Sequence, residues 1–143
     1  MSVRNLIKTA SLIPQSKGIH KFDPYQLLLS YYKSYDKTDM YNFFRNSDYD
    51  FEDGRNKYHI YEDHKSKLYF IEWLPFSSTD IHNHPHQTSF MLLQGLLKEN
   101  VYLENNKFEN ILFESNSSKL TENEYHKVES LYFKSITLHI DIF

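Results

Sequence analysis

Eight of the 143 residues are histidines, at positions 20, 59, 64, 82, 84, 86, 126 and 139. Three of them crowd into one heptapeptide, Asp80-Ile81-His82-Asn83-His84-Pro85-His86. On a strand, residues two apart point to the same side, so His82 and His84 can present two imidazoles to one metal ion from a rigid edge. Neutral imidazole suits Fe, Zn, Cu or Ni. The competing reading is a polar loop that happens to be rich in histidine. Cysteine is absent, which excludes a thiolate metal site, a cysteine nucleophile and a disulfide framework.

The remaining composition narrows the class of protein. Sixteen basic and nineteen acidic residues give a formal charge of −3, so there is no basic excess with which to neutralise a nucleic acid. Twelve Tyr, eleven Phe and one Trp supply a large aromatic core, and three Gly and four Pro argue against disorder. No apolar run reaches the roughly 20 residues of a membrane-spanning helix, and Met1 to Ser11 lacks the apolar stretch of a signal peptide. A cytoplasmic protein, monomeric or dimeric, is expected, with neither nucleic acid nor membrane as a partner.

The elements that must hold the histidines follow from periodicity. Residues 1–22 carry few signals and read as an extended or partly helical lead-in to a single domain over 23–143. Asp23-Pro24 is a helix start, and Tyr25, Leu28, Leu29 and Tyr32 follow at helical spacing. A second helix is expected from about Lys37 to Arg45, and 46–54 reads as a polar loop. From Lys57 the period changes to that of strands: Tyr58 to Tyr61, Leu68 to Trp73 after a hairpin turn at 62–66, Phe90 to Leu97, Asn100 to Leu103, Phe108 to Phe113, and Leu131 to Phe133. The last segment alternates Ile136, Leu138, Ile140 and Ile142 against Thr137, His139 and Asp141, one apolar face and one polar. Two helices followed by many short strands predict a mainly β (α+β) protein with a barrel or sandwich as its body.

The spacing around the histidine pair resembles the first motif of the cupins: HxH, a short gap, Glu, six residues, Gly. Here His82 and His84 are followed by Thr88, in the place of that Glu, and then by Gly95. Within the cupins the chain resembles the cysteine dioxygenase type of thiol dioxygenase. Ile81-His82-Asn83-His84 is similar to that family's HDH pair, and Leu93-Gln94-Gly95-Leu96-Leu97-Lys98-Glu99 to its LQGxLKE strand. His126-Lys127-Val128-Glu129-Ser130 is similar to its HRVEN, and Thr137-Leu138-His139-Ile140 to its SLHLY. The four stretches occur in the family's order.

The resemblance implies a cupin-type β-barrel (double-stranded β-helix) with a short N-terminal helical segment. It also implies His82, His84 and His126 as ligands of Fe(II), with Zn or Ni as alternatives. O₂ and a small thiol are the implied co-substrates and a sulfinate the product. His139 would act beside the metal, oriented by Thr137. For substrate binding it points to Arg55, Tyr58 and Asp141. Counted from Tyr58, the place of the family's carboxylate-binding Arg falls on Ile60; a shifted register would bring Arg55 there instead. Asp141 stands where the family has a Tyr, and the Cys–Tyr crosslink cannot form, with Thr88 or Ser89 at the Cys position. These departures lead to the expectation that cysteine is a poor substrate and an aminothiol a better one. They also leave open a non-catalytic metal- or ligand-binding cupin, or one turned to protein interaction. His86 is expected to be a loop residue beside the site, Glu99 and Glu129 to form surface ion pairs, and Trp73 to belong to the core.

Overall fold

A computed structural model of the chain describes residues 1–13 and 22–143; His20 and the rest of the 14–21 stretch lie outside the described residues. Three helices come first, α1 (Val3–Ser11), α2 (Pro24–Ser34) and α3 (Lys37–Arg45). Each starts at a side-chain cap. Ser2 Oγ accepts from the Asn5 amide, Asp23 from Tyr25, and Asp36 from Thr38 and Asp39. These contacts satisfy donors that the first helical turn cannot pair internally. The two helices expected from Asp23-Pro24 and Lys37 are both present.

The amino-terminal stretch is more than a lead-in. Val3, Leu6 and Ala10 of α1 are buried in the same aromatic cluster as Leu28 and Tyr31 of α2, and Met40 and Phe44 of α3. The Val3 amide donates to Asp39 Oδ2 at 2.7 Å, and Lys65 Nζ donates to the Ile13 carbonyl at 2.6 Å.

Ten strands follow: β1 (Asp50–Glu52), β2 (Arg55–Glu62), β3 (Ser66–Trp73), β4 (His82–Asn83), β5 (Gln87–Gln94), β6 (Leu97–Leu103), β7 (Asn106–Leu112), β8 (Ser117–Leu120), β9 (Tyr125–Ser130) and β10 (Ser135–Ile142). They form two antiparallel sheets, β1-β2-β3-β10-β5-β8 and β4-β9-β6-β7. The mainly β fold class holds, and three expectations need correction. β1 lies inside the expected 46–54 loop, where it pairs with the start of β2. The strands β8 and β9 had no strong periodic signal, and β9 carries His126. The strand expected at Leu131–Phe133 is absent, those residues bending between β9 and β10, while 90–103 resolves into two strands parted at Gly95, whose φ of +106° and close approach to Ser135 leave no room for a Cβ.

The last strand organises the molecule. β10 lies between β3 and β5, with His139 opposite Tyr69 on one side and Phe90 on the other. Its alternation is as expected, but its polar face does not meet water: Ser135 to Ile140 are all buried. Ile136, Leu138 and Ile140 pack under the helices. Thr137 and His139 face the interior between the sheets, over a second cluster that holds Trp73, Phe90, Leu92 and Val128. Among the described residues no helix is long and apolar enough to cross a membrane.

Because Leu6 has no exposed surface, Leu6→Ala is expected to cost about 2–5 kcal/mol, the range for a buried leucine that leaves a cavity. Leu12→Ala, at a residue 75% exposed, should stay within about 0.5 kcal/mol. Urea unfolding of the two variants checks this; equal stabilities would mean that α1 is not part of the core.

Candidate metal centre

β4 pairs with β9 so that His82 lies directly opposite His126, and His84 follows just beyond the end of β4. Their ring nitrogens converge. His126 Nε2 is 3.0 Å from His82 Nε2 and 3.1 Å from His84 Nε2, and each of the three residues offers one ligand atom to a common group.

The partners on the far side of the rings fix their tautomers. His82 Nδ1 lies 2.8 Å from the Asp80 carbonyl, which can only accept, so Nδ1 carries the hydrogen. His126 Nδ1 lies 2.8 Å from Glu99 Oε2, and that carboxylate also accepts from Ser118 Oγ at 2.7 Å. Both Nε2 atoms are therefore lone pairs, directed at one another across 3.0 Å. Lone pairs so placed repel unless a cation stands between them. A shared proton is a poor candidate: burial lowers the pKa of His82, and burial with the neighbouring His126, His82 and Lys57 lowers that of His84 to about 4. A metal ion fits. Ligands held at right angles about 2.1 Å from one ion stand about 3.0 Å apart, whereas tetrahedral ligands stand about 3.4 Å apart. The 3.0 and 3.1 Å separations are of the size that donor atoms on one ion adopt.

Glu99 was expected in a surface ion pair. It is instead buried, 2% exposed, and orients a ligand. Its signal was its place in the LQGxLKE-like stretch two residues into β6, where alternation turns it inward with Leu97 and Val101. Glu129 does pair at the surface, with Lys127. His86 is exposed and rests against Phe143, apart from the triad.

Behind the triad is a polar column on the inner face of β10. Trp73 Nε1 donates to Thr137 Oγ1 at 2.9 Å, and Thr137 Oγ1 lies 2.6 Å from His139 Nε2. With no other acceptor for its hydroxyl, Thr137 donates to His139 and leaves the ring hydrogen on Nδ1. That nitrogen has no partner among the described residues. The imidazole is sandwiched between Tyr69 and Phe90, at 4.8 and 4.9 Å between centroids. Burial, with His84 and Lys57 nearby, drives its pKa well below the ordinary histidine value.

A cavity of about 180 Å³ opens in front of the triad, walled by Trp73, Ile71, Tyr69, Val128 and His139. Its volume is below the usual 300–1,000 Å³ of drug-sized pockets and suits a ligand of a few heavy atoms. The expected substrate residues separate here. Arg55 lines the cavity, with its guanidinium 5.6 Å from the Trp73 ring centroid and its Nε donating to the Glu52 carbonyl. Tyr58 does not: it is on the opposite face of β2, stacked on Phe44 at 4.3 Å in the core beneath the helices. Ile60 points the same way, so counting from Tyr58 picked the wrong face of the strand. Asp141 is also turned aside, accepting from Thr88 Oγ1 at 2.9 Å and the Tyr69 hydroxyl at 3.2 Å. Trp73 belongs both to the core and to the cavity wall.

No protein-family model matches the sequence, and a search of curated proteins finds no match. Solved structures resemble it at low identity. An RmlC-like cupin from Shewanella frigidimarina superposes with a TM-score of 0.61 and 14% identity, over 68% of this chain and 85% of that one. KdgF from a Halomonas species gives 0.60 and 15%, over 68% and 89%. The chain has a cupin fold. An oxalate decarboxylase variant from Bacillus subtilis gives 0.62 and 12%, and there the cupin fold of this chain, matched over 69% of its length, spans 28% of the other. At these identities the likeness is one of fold. The cupin barrel accounts for the meeting of β4 and β9, and so for the convergence of the histidines, without specifying a reaction.

Three outcomes follow. His82→Ala should lose most bound metal yet stay folded, and Glu99→Gln should weaken metal affinity roughly 10- to 100-fold through the misdirected His126 ring. Metal content after dialysis against a graded chelator measures both, and undiminished retention in Glu99→Gln would refute the orienting role. The metal-free protein should also lose stability as pH falls below about 6.5, the ordinary histidine value. There the unfolded chain takes up protons that His82, His84 and His139 refuse when folded. The fully buried His139 alone contributes up to about 1.4 kcal/mol per pH unit until its lower folded pKa is reached. Denaturant unfolding at a series of pH values would show a flat or rising profile if these rings accept protons in the fold.

Proposed function

We propose that this cupin is a mononuclear non-haem iron protein of the thiol dioxygenase kind, oxidising a small thiol in the cytosol. The overall change is R–SH + O₂ → R–SO₂H: both oxygen atoms end on sulfur, so no external reductant is consumed. The observation that carries the reading is the facial corner made by the Nε2 atoms of His82, His84 and His126, with the His82 and His126 lone pairs facing across 3.0 Å. An Fe(II) ion held there would supply open positions for a thiolate and O₂, and lower the thiol pKa.

The chain's own residues do the rest. The Asp80 carbonyl and the Glu99 carboxylate keep two ligands in the metal-binding tautomer. Trp73, Ile71 and Val128 give the cavity an apolar wall. Thr137 and the aromatic sandwich hold His139 at the cavity wall. Arg55 stands as a partner for an anionic group of the substrate.

A second reading, a metal- or small-ligand-binding cupin without catalysis, is favoured by one arrangement. The family's Tyr position holds Asp141, whose carboxylate is occupied by Thr88 and Tyr69. Zn or Ni in place of iron would suit that reading equally.

Metal analysis of the purified protein, followed by oxygen uptake with cysteine, cysteamine and other small thiols, tests the proposal. Iron, with one sulfinate formed per O₂ consumed and both lost in His84→Ala, is the expected result. Zn alone, or iron without uptake for any thiol, would overturn it in favour of the second reading.

A further inference from the structure

The strand β7 is a free edge of the sheet that carries the triad. It pairs with β6, and among the described residues no strand pairs with its other side. Every residue from Asn106 to Ile111 is exposed, Phe108 to 50%. Strand edges are commonly blunted by proline, by a bulge or by shortness. β7 is seven residues long, contains no proline and keeps an unbroken register with β6. The other edge strands, β1, β8 and β4, are three, four and two residues long.

The backbone limits what this edge can pair with. β6 and β7 join through the two residues Glu104 and Asn105, so Leu103 and Asn106 close the hairpin and exchange their backbone bonds. Alternation along the ladder then turns the amides and carbonyls of Lys107, Glu109 and Ile111 away from β6. The side chains alternate too. Phe108 and Asn110 are on the inner face with their β6 partners Val101 and Glu99, and Lys107 and Glu109 are on the outer face. Glu109 Oε1 is 3.6 Å from Lys98 Nζ, whereas none of the ion pairs among the described residues includes Lys107.

The run Asn106-Lys107-Phe108-Glu109-Asn110 is complementary to itself in the antiparallel sense. A two-fold axis through Phe108 sets Lys107 opposite Glu109 of a second copy, Glu109 opposite its Lys107, Asn106 opposite its Asn110, and Phe108 against Phe108. The charged pairs fall at positions whose backbone groups point outward, so one register matches the charges and forms the ladder bonds. Phe108 then falls at a non-hydrogen-bonded crossing, where Cα atoms approach to about 4.5 Å and side chains are closest. A slip by one residue misaligns the backbone groups. A slip by two in either direction sets Lys107 against Lys107 or Glu109 against Glu109.

We propose that β7 is a homodimer edge: two copies join β7 to β7, antiparallel about Phe108, and fuse their four-stranded sheets into one. This assignment is independent of the reaction proposed above. The contact is short, at the small end of specific interfaces, so the dimer should form in a concentration-dependent way. The two-fold axis uses both free edges, so assembly stops at two copies. β4 and β9, which carry the triad, lie on the other side of β6, so metal retention should be the same in monomer and dimer.

Sedimentation velocity of the metal-bearing full chain over a wide concentration range tests this. The expected result is a monomer that gives way to a dimer as concentration rises. Lys107→Glu and Glu109→Lys should each raise the dissociation constant roughly tenfold or more, because each puts two like-charged pairs across the seam. An equimolar mixture of these two variants should regain the dimer, since the glutamates of one copy then face the lysines of the other. Phe108→Ser should weaken the dimer by a similar factor. Circular dichroism and metal content should match the wild type in all three variants. A wild-type chain that stays monomeric throughout, a dimer indifferent to the three substitutions, a mixture that fails to re-form it, or assemblies larger than two would each overturn the assignment.

Discussion

A strand covered on both faces must satisfy two different environments with one alternating sequence, and β10 is that strand. Every second residue, Ile136, Leu138 and Ile140, meets the apolar underside of the helices. Of the residues between, His139 lines the cavity, and Thr137 is buried behind it, bonded to His139 and Trp73. A shift of one residue against β3 or β5 would put His139 among Leu28 and Tyr31 and expose isoleucines to the cavity, so both faces enforce the same register. The neighbours that grip the imidazole, Tyr69 and Phe90, are the residues directly opposite His139 in that register. The helices thus help to hold the site although they contribute no residue to it.

The triad depends on a second constraint, supplied by the other sheet. β4 is only two residues long, yet its pairing with β9 places His82 across from His126. The pairing of β6 with β9 brings the buried Glu99 beneath the same ring. A buried carboxylate is costly unless its oxygens are paired. Here Ser118 takes one and His126 the other. This arrangement explains why an acidic residue is tolerated at 2% exposure and why one imidazole is held in a single tautomer.

The charges around the cavity are mixed, Arg55 and Lys57 sharing its wall with Asp50 and Glu52. The rings of His82, His84 and His139 are kept neutral by burial, and Arg55 and Lys57 are not matched by ion-pair partners. Asp141, the carboxylate nearest this group on β10, is spoken for by Tyr69 and Thr88. The same Tyr69 that secures Asp141 also stacks on His139 and lies under Lys57. One aromatic ring therefore links the strand that carries the cations to the strand that carries the histidine.

Much of this was readable in the residues themselves. Asp23-Pro24 and Asp36 mark helix starts because capping is a local interaction, settled within three residues of chain. The alternation over 136–142 marked a two-faced strand, and His82 with His84 marked a metal edge, because side-chain direction along a strand is also local. Other features needed the fold. The spacing could not tell that Tyr58 and Ile60 face the core while Arg55 and Lys57 face the cavity, since an alternating strand reads the same from either side until another layer covers it. Glu99 looked like a surface charge because its two partners, Ser118 and His126, are 19 and 27 residues away. The polar face of β10 looked solvent-bound because the second sheet that roofs it is made of strands too short, or too weakly patterned, to stand out. Sequence alone determined which residue types were available and how each strand alternates; tertiary structure decided which face is inside, because burial is a property of what packs on top and not of the strand itself.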